Sequence, residues 1–502
     1  MMPQRSTIAQ AIVRQLDALG ATRQRITVDS RSIVAGDVFV AIPGSVVDGR
    51  DFVAAALAKG AAAVLREASS TTPKTDDPRV IDVEHLSQYL GEIADEFYVH
   101  PSAAMKVIGV TGTNGKTSIA NWLAQAFTAL GQPCGAVGTL GVSLGERTWA
   151  TNNTTPDAAR VHTIFRDLKQ SGAAAVAMEV SSHALALHRV KGVQFDTVIF
   201  TNLTQDHLDF HGTMAAYGAA KATLLTDYPA RYRIVNADDE FGIQLLAKTL
   251  PGTLSYGMQS GDVRAQLESL SSSGMRLTIT FADQAIVVET ALIGRFNIYN
   301  LLAVAATLLA RGVSLETLAP ILATLKAAPG RMQRVNTALG AIEPAVYVDY
   351  AHTPDALAKA LDTVRETSPH ALTVVFGCGG DRDRSKRAPM GQIAAARADQ
   401  VIVTSDNPRS ESPDAIINEI VAGIAPEQRG AVRSIALRRE AISVAINAAT
   451  SKDAILIAGK GHENYQEIAG IRHAFSDVYE AQLALAARAQ TLSATLGSRH
   501  VG

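Results

Sequence analysis

The sequence predicts an α/β protein of three domains: a small N-terminal α/β domain, a central domain with a mostly parallel sheet, and a C-terminal Rossmann-like, doubly wound domain. The chain has 502 residues, which exceeds what one hydrophobic core usually holds. Apolar runs of strand length alternate with segments of helix length through its later two thirds. Breaks containing proline lie near residues 101 and 329. We therefore place the domains at residues 1–102, 103–330 and 331–502.

The first domain combines short strand-like runs with helical ones. An apolar run at residues 38–42 ends at Pro43-Gly44, and residues 52–57 have a helical pattern. The polar stretch at residues 69–79 is typical of a surface loop. Pro101 ends the helix before it, so we expect the domain to close there.

The central domain is predicted to open with a strand, a glycine-rich turn and a helix. The apolar run at residues 107–110 leads into the turn. The helix that follows has one apolar face, formed by Ile119, Trp122, Leu123 and Phe127. Further elements are predicted as buried strands at residues 174–178 and 197–200, a hairpin near 276–289 and a helix over 297–310.

The last domain repeats the alternation of strands and helices. Its predicted strands are the apolar runs at residues 345–348, 372–376, 401–404 and 454–458. Helical stretches separate these runs, which is the pattern of a doubly wound parallel sheet.

Composition and charge exclude several classes of protein. The chain has 46 basic and 48 acidic residues and a formal charge of -2, which gives no basic field for nucleic acid. Its two cysteines, Cys134 and Cys378, lack metal-ligand spacing and indicate a reducing compartment. The N-terminus lacks signal-peptide features, and no apolar stretch approaches the ~18 residues of a membrane span. We expect a cytoplasmic monomer without nucleic-acid partners.

The turn at residues 111–118 has the composition of a phosphate-binding loop. It lies between a strand and a helix, where backbone N–H groups and a helix N-terminus bind phosphate. Lys116 is expected to reach the β- and γ-phosphates of a nucleotide, and the Thr117 hydroxyl to bind Mg²⁺. Val110 stands where the general motif has its first glycine, which leaves a tight turn with a surface lysine as the alternative. The other loop residues are Gly112, Thr113, Asn114, Gly115 and Ser118.

Three further residues of the central domain are candidates for chemistry. Glu179 and His207 follow apolar strands, at the strand ends where ligands gather, and are candidate metal ligands. Mg²⁺ prefers oxygen, so the alternative for His207 is a hydrogen-bonded structural histidine. Lys221 lies among small and apolar residues, and burial lowers a lysine pKa and frees a neutral amine. The alternative is a lysine that reaches solvent from a helix face.

Four polar or glycine-rich loops follow the strands of the last domain. They lie at residues 349–352, 377–383, 406–409 and 459–463. The carboxyl ends of parallel strands meet at one edge of a sheet, so we expect the four loops to converge there. A purely structural role would explain one such loop more readily than four.

Together these motifs resemble those of the Mur ligase family. The resemblance extends into the first domain, where residues 28–31 (VDSR), 36–41 (GDVFVA) and 48–52 (DGRDF) are similar to its uridine-nucleotide-binding domain. The segment 406–409 reads DNPR, a signature of members that use meso-diaminopimelate, and 459–463 reads GKGHE. The resemblance therefore implies the member that adds meso-diaminopimelate to UDP-N-acetylmuramoyl-L-alanyl-D-glutamate in peptidoglycan synthesis.

The resemblance also implies roles for the substrate-binding residues. The uridine end would contact Ser30 and the loop after Gly44, and the muramoyl-peptide would contact Thr154, Thr155, Ser181 and Arg189. Leu187 departs from the pattern, because some members have a substrate-contacting glutamine there. The residues implied for the amino-acid substrate are Arg382, Asp406, Asn407, Pro408, Arg409, Gly459 and Glu463. Arg409 would hold one carboxylate in a bidentate fork.

For the nucleotide, the resemblance implies a site between the middle and last domains. Asn297, Arg331 and Asp349 would border the adenosine end of ATP. Lys221 matches the position that is carbamylated in the family, and the resulting carboxylate can support a second Mg²⁺. The implied reaction transfers the γ-phosphoryl group of ATP to the D-glutamyl side-chain carboxylate, and the amine of diaminopimelate then attacks the acyl phosphate.

Three alternatives stay open on the sequence alone. A folylpolyglutamate synthetase-like ligase shares the ATP chemistry, but the first domain and DNPR disfavour it. A P-loop phosphotransferase would use the same loop and leave the four loops of the last domain unexplained. A catalytically silent binding protein should have lost Lys116, Thr117, Glu179, His207 or Lys221, which are all present.

Overall fold

The computed structural model describes residues 6–21, 25–44, 47–69, 72, 75–151, 153–335, 343–368 and 370–498, with the backbone alone for 492–498. Two expected loops fall partly outside these residues, the loop after Gly44 and the loop at 69–79. The chain forms two compact units. The first comprises Met1–Ala265, Ile279–Ile286 and Tyr299–Leu322, and the second Gln266–Thr278, Val287–Ile298 and Ala323–Gly502.

The first unit begins with a small α/β layer. Its elements are α1 (Thr7–Ala18), β1 (Ile26–Thr27), β2 (Val38–Ala41), α2 (Val53–Ala58), β3 (Ala63–Ala68), β4 (Val80–Glu84) and α3 (Leu86–Phe97). The strands form a parallel sheet in the order β1-β2-β3-β4. Both faces are buried: Val38 and Val40 pack in the cluster that contains Leu16 and Leu90, and Phe39 packs against Ala56. This burial of both faces explains the continuous apolar run.

The middle part of the chain contains a larger sheet. Its strands are β5 (Lys106–Thr111), β6 (Cys134–Gly138), β7 (Gly141–Leu144), β8 (Arg147–Trp149), β9 (Ala175–Glu179), β10 (Thr197–Phe200), β11 (Tyr232–Asn236), β12 (Thr253–Gly257), β13 (Val263–Ser271), β14 (Gly274–Phe281) and β15 (Gln284–Thr290). Their order is β15-β14-β13-β12-β11-β10-β5-β9-β6-β7-β8. In this order, neighbouring strands from β13 through β6 pair in parallel. In contrast, β7 pairs antiparallel with both β6 and β8.

Helices connect these strands and place the phosphate loop at the point where the strand order reverses. They are α4 (Lys116–Ala129), α5 (Ala158–Gln170), α6 (Ser182–Ala186), α7 (Leu208–His211), α8 (Met214–Thr226), α9 (Glu240–Leu246), α10 (Arg295–Leu309) and α11 (Leu315–Thr324). The chain leaves β5 for β6 on one side and crosses from β9 to β10 on the other. In open α/β sheets such a switch point forms the ligand-binding crevice.

The second unit contains a doubly wound sheet. Its elements are β16 (Gln333–Val335), β17 (Ala345–Asp349), α12 (Pro354–Thr367), β18 (Leu372–Phe376), α13 (Arg387–Arg397), β19 (Gln400–Val403), α14 (Pro413–Ala422), β20 (Val432–Ser434), α15 (Arg438–Ala448), β21 (Ala454–Ala458), β22 (Tyr465–Ile468), β23 (Ile471–Ala474) and α16 (Asp477–Ser498). The strand order is β16-β17-β21-β18-β19-β20, parallel except for β16, and β22 pairs with β23 in a hairpin.

Helices cover both faces of this sheet, as the alternation of elements predicted. Tyr347 packs on the face that contains Leu357 and Met390, and Val348 packs on the opposite face with Ile442 and Leu485. The sequence missed β16, β20 and the β22–β23 hairpin, because these strands are short and carry polar or exposed residues. No helix in the described ranges is long and apolar enough to cross a bilayer.

The predicted strand, turn and helix of the phosphate loop are confirmed as β5, residues 112–115 and α4. The four apolar side chains predicted for one face of α4 are all buried. The predicted strands at 174–178 and 197–200 are β9 and β10 to within one residue, the hairpin is β14 and β15, and the helix is α10.

Candidate active site

The phosphate loop needs glycine at two positions. Gly112 has φ 143°, and a Cβ there would lie 1.8 Å from Thr201 Oγ1. Gly115 has φ 88°, caps the N-terminus of α4, and would place a Cβ 2.4 Å from Asn300 Oδ1. Val110 is fully buried inside β5, ahead of the turn, so the turn forms without the first glycine of the general motif. Backbone N–H groups at the N-terminus of a helix can bind an anion.

The segment after β10 holds this loop in place. The N–H groups of Thr113 and Asn114 donate to Asn202, to its carbonyl oxygen at 2.8 Å and its Oδ1 at 2.9 Å. The Thr201 hydroxyl donates to the Asn114 carbonyl at 2.6 Å. The loop is therefore preorganised by the neighbouring strand end rather than by its own residues alone. Ser118 is buried in the first turn of α4.

Two lysines meet at the carbonyl oxygen of Gly112. Lys116 Nζ donates to this oxygen and to the carbonyl of Thr113, each at 2.8 Å. Lys221 Nζ donates to the same Gly112 oxygen at 2.8 Å and lies 4.3 Å from the Tyr217 ring centroid. Lys221 is 1% exposed, and burial first, then the charge of Lys116, holds its pKa well below the ordinary lysine value. Lys221 is thus a buried lysine on α8 and does not reach solvent.

A buried carboxylate lies next to the loop. Glu179, the last residue of β9, is 2% exposed, and its Oε2 accepts the Thr117 hydroxyl at 3.0 Å. Its Oε1 accepts the N–H of Thr139 at 2.7 Å. A Cβ on Gly138 would lie 2.1 Å from Oε1, so glycine lets the carboxylate approach. Sequence reasoning missed Gly138 and Thr139, because nothing in their local pattern distinguishes them from other turn residues.

His207 lies in a cluster of aromatic rings. It has φ 52°, and its ring centroid is 4.7 Å from that of His183 in an edge-to-face arrangement and 6.0 Å from that of Tyr217. Burial lowers the pKa of His207, which favours the neutral form that can bind a metal. Among the residues that the structure describes, no group of three or more His, Cys, Asp and Glu side chains could hold a metal ion.

The residues implied for the muramoyl-peptide gather around the end of β9. The Thr155 hydroxyl donates to the Glu179 carbonyl at 2.8 Å and accepts the Ser181 N–H at 3.1 Å. Arg189 donates to the Thr155 carbonyl at 3.1 Å. The hydroxyls of Thr154 and Thr139 lie 3.1 Å apart. The nearby Leu187, which departs from the family pattern, presents a side chain that is 48% exposed.

A cavity of about 350 Å³ lies between the first sheet and the segment before α5. Its walls include Arg25, Asp29, Ser32, Asn153, Asp157 and Arg160. Ser30 is half-buried in the same loop, and its carbonyl accepts Lys59 Nζ at 2.8 Å. The cavity is polar and contains both signs of charge, which suits a polar ligand better than an apolar one.

The four loops of the second unit meet at one edge of its sheet, as predicted. They follow β17, β21, β18 and β19, which are adjacent and parallel. Asn407 Nδ2 donates to Glu463 Oε2 at 2.8 Å, and Lys460 Nζ donates to the same oxygen at 2.8 Å. Sequence reasoning did not single out Lys460, because its burial depends on contacts between distant loops.

The DNPR segment is held in a specific backbone conformation. Arg409 has φ 51°, its N–H donates to the Glu467 carbonyl at 3.0 Å, and its side chain donates to the Gly380 carbonyl at 2.6 Å. Within the described part of the chain its guanidinium forms no ion pair. Asp406 and Pro408 are buried, and a Cβ on Gly459 would lie 2.6 Å from Asp406 Oδ2. Arg382 is exposed in the neighbouring 377–383 loop.

The residues implied for the adenosine end lie in two places in the second unit. Asp349 accepts the N–H groups of Met332 at 2.7 Å and Ala351 at 2.8 Å, and burial raises its pKa. The Arg331 guanidinium lies 4.8 Å from the Tyr350 ring centroid. Asn297, in α10, is 3% exposed and donates to the Ile293 carbonyl at 2.7 Å.

Comparison with known proteins places these features in a family. Family models match residues 23–98 (Mur ligase family, catalytic domain), 110–308 (Mur ligase middle domain) and 330–461 (Mur ligase, glutamate ligase domain). A Chromobacterium violaceum protein named UDP-N-acetylmuramoyl-L-alanyl-D-glutamate–2,6-diaminopimelate ligase is 47% identical over 479 residues, covering 94% of this chain and 96% of its own. A Pseudomonas putida protein of the same name is 46% identical and covers 92% and 95%.

Solved structures agree with this placement. A structure titled as the same ligase has a TM-score of 0.67 at 35% identity and covers 92% of this chain and 95% of its own. A folylpolyglutamate synthase from Mycobacterium tuberculosis, complexed with ADP and AMPPCP, has a TM-score of 0.60 at 18% identity, covering 80% and 93%. That second likeness shows the fold alone. The chain belongs to the Mur ligase family and has its three α/β domains.

Proposed function

We propose that this chain is the ATP-dependent, ADP-forming ligase that joins meso-diaminopimelate to the D-glutamyl side-chain carboxylate of UDP-N-acetylmuramoyl-L-alanyl-D-glutamate, a step of peptidoglycan synthesis. The observation that carries the proposal is that full-length relatives bear the name of a 2,6-diaminopimelate ligase for this UDP substrate. The loops described above supply the groups that such a reaction needs. We further propose that the enzyme acts as a cytoplasmic monomer with domains at residues 1–102, 103–330 and 331–502.

Activation of the carboxylate is assigned to the phosphate loop. A carboxylate and a triphosphate repel each other, so the site must neutralise charge while it aligns the two reactants. Lys116 would turn from the Gly112 and Thr113 carbonyls to the phosphates, and the α4 N-terminus would add N–H donors.

The oxygen ligands beside the loop fit Mg²⁺. Thr117 and Glu179 present a hydroxyl and a carboxylate to one location, and hard divalent cations prefer such ligands. When bound there, Mg²⁺ would neutralise charge on the phosphates. Buried Glu179 is held by Thr139, so its orientation does not depend on the ion. We assign His207, which follows the neighbouring strand β10, as a further ligand, and burial lowers its pKa and favours the neutral form that can bind a metal.

We also propose that Lys221 is carbamylated. Carbamylation joins the neutral amine nitrogen to the carbon of CO₂, releases a proton and leaves a carboxylate. The depressed pKa of Lys221 supplies the neutral amine, and Lys116 lies close enough to stabilise the negative product. The new oxygens would support a second Mg²⁺.

The remaining loops are assigned to the other substrates. We assign the uridine end to the Ser30 loop, the muramoyl-peptide to Thr154, Thr155, Ser181 and Arg189, and adenosine to Asn297, Arg331 and Asp349. The amino acid is assigned to Arg382, the 406–409 segment, Gly459 and Glu463. The hydrogen bonds among the threonine, serine and arginine residues near β9 support the second assignment. The Asn407–Glu463 contact supports the last one.

A direct test is product analysis with a choice of amino acid. The full chain is incubated with ATP, the UDP-muramoyl-dipeptide and equal amounts of meso-diaminopimelate and lysine, and the product is identified by mass. We expect the diaminopimelate product with one ADP and one phosphate per bond formed. A product with lysine, or ATP hydrolysis without ligation, would contradict the proposal. A folylpolyglutamate synthetase-like activity is disfavoured because its structural likeness extends to the fold alone.

A further inference from the structure

Lys460 is a fully buried cation at the edge where the four loops meet. Its side chain has no exposed surface, and its Nζ donates to Asn407 Oδ1 at 3.0 Å and to Glu463 Oε2 at 2.8 Å. Its ammonium also lies 5.4 Å from the Tyr465 ring centroid. A buried charge is retained only where it is paired and hydrogen-bonded, as it is here.

These contacts fix the orientation of two side chains. Asn407 Oδ1 accepts both Lys460 Nζ and the Glu467 N–H at 2.9 Å, so its Nδ2 must face Glu463. Glu463 Oε2 accepts Asn407 Nδ2 and Lys460 Nζ. Both donors use the same oxygen, and no hydrogen bond in the described part of the chain involves Oε1.

A buried ion pair holds the backbone immediately before the two loops that carry these residues. Arg438 is fully buried and pairs with Asp477 through two hydrogen bonds of 2.7 and 2.8 Å. It also donates to the Ala458 carbonyl at 2.9 Å and the Ser405 carbonyl at 3.4 Å. Ser405 and Ala458 immediately precede the 406–409 and 459–463 loops. The backbone around Lys460 is therefore fixed, and its ammonium joins two loops that are 53 residues apart at the contact.

We propose that Lys460 is a positioning residue for the amino-acid substrate, acting through Glu463 and Asn407. It holds Glu463 Oε2 against the protein and presents Oε1 to an ammonium group of the incoming diamino acid. The inference rests on the proposed function, because it assigns Glu463 to the amino-acid site.

The test compares Lys460→Met with wild type in the full chain, because methionine matches the volume of the stem and tolerates burial. The KM is measured separately for meso-diaminopimelate, ATP and the UDP-muramoyl-dipeptide. We expect the KM for diaminopimelate to rise about 10- to 100-fold, the range expected when a charge-assisted hydrogen bond is lost. The other two KM values should stay within about twofold. Lys452→Met, at an exposed lysine of the same unit, is the matched control and should behave as wild type.

A double-mutant cycle separates positioning from a general structural role. If Lys460 acts through Glu463, then Lys460→Met should add little to the effect of Glu463→Gln, whereas independent effects would multiply. Lys460→Gln, which keeps a donor but loses the charge, should have an intermediate KM for diaminopimelate and provides the test if Lys460→Met does not fold.

The outcomes distinguish the two proposals. An unchanged KM for diaminopimelate, or an equal rise in all three KM values, in the variant that folds would overturn the role of Lys460 and leave the proposed function intact. Multiplying effects in the cycle would also overturn it. A wild-type enzyme that forms no diaminopimelate product would overturn the proposed function and this inference with it.

Discussion

Lys116 and Lys221 donate hydrogen bonds to the same carbonyl oxygen, that of Gly112, each at 2.8 Å. Two ammonium groups this close repel each other, and Lys221 is the more deeply buried of the two. Its pKa is lowered first by burial and then by the charge of Lys116. The pair therefore combines a less buried lysine with one whose depressed pKa favours the neutral amine.

We predict that Lys116→Ala abolishes ligation without unfolding the chain. Lys116 donates to the Gly112 and Thr113 carbonyls of its own loop, and both of these acceptors are uncharged. Loss of such a contact to a transferring phosphoryl group costs on the order of 10²-fold or more in rate. The measurement is kcat with the folded state checked by circular dichroism. Lys169→Ala, at an exposed lysine in α5, is the control. Near-normal turnover of Lys116→Ala would refute its catalytic role.

We predict that Lys221→Ala is nearly inactive and that small carboxylic acids restore part of its activity. The substitution leaves a space beside the Gly112 carbonyl and the Tyr217 ring, where an added carboxylate can replace the carbamate. Activity is measured as a function of added acid. Lys221→Arg keeps a cation but cannot carry the carbamate, so it should be inactive and show no rescue.

Intact mass provides an independent check on Lys221. Under native conditions with bicarbonate, wild type should carry the added mass of CO₂, and Lys221→Ala should not. The pKa gives the sign of the pH dependence: because the folded pKa of Lys221 is depressed, its amine stays neutral as the pH falls below the ordinary lysine value. Carbamylation should therefore persist to lower pH than it would at an ordinary lysine. Full activity of Lys221→Arg would argue against the whole assignment.

We predict that Arg409 selects meso-diaminopimelate over lysine through the carboxylate on the distal stereocentre, which lysine lacks. A guanidinium binds a carboxylate through two parallel N–H donors, and Arg409 forms no competing ion pair with the described residues. Sites built to bind a polar group reject analogues without it by roughly 10⁴-fold or more. In competition experiments, Arg409→Ala should lose this preference, with KM for diaminopimelate raised and KM for ATP unchanged. Retention of the wild-type preference would exclude this role.

We predict that Arg387 stabilises the second unit and that this stabilisation is lost at acidic pH. Its side chain is 1% exposed and forms ion pairs with Glu411 at 2.8 Å and Glu419 at 2.9 Å. The hydrogen bonds from Arg387 lower the pKa of Glu411 to about 2, from 4.5. The stabilisation is therefore complete above about pH 4.5 and is lost as the pH falls towards 2.

The measurement is the midpoint temperature of thermal unfolding for wild type and Arg387→Met over this pH range. At neutral pH the variant should melt a few degrees lower, and the difference should shrink as the pH falls. Arg397 lies in the same helix as Arg387, α13, and forms an exposed ion pair with Asp362 of α12. Arg397→Met removes this pair and should have little effect at any pH. A difference that does not depend on pH would show that packing, not charge, accounts for the loss.

The sequence by itself determined the long apolar strands, the helix after the phosphate loop and the residue types in the loops. The apolar runs that became β5, β9 and β10 are continuous because both faces of a parallel sheet are buried. The phosphate loop could also be predicted from local sequence, because Gly112 and Gly115 adopt backbone conformations that other residues avoid. The rule that ligands gather at strand ends was enough to predict the convergence of four loops.

Only the tertiary structure decided which side chains in those loops meet and which are buried. In the sequence, nothing distinguishes Lys460 from other polar loop residues. In the structure it is buried and hydrogen-bonds to Glu463 and to Asn407, which is 53 residues away. Thr139 hydrogen-bonds to Glu179, which is 40 residues away in the sequence, and Lys221 hydrogen-bonds to Gly112, which is 109 residues away. The physical reason is that hydrophobic periodicity is a local property, whereas burial and charge pairing arise from contacts between segments that folding brings together.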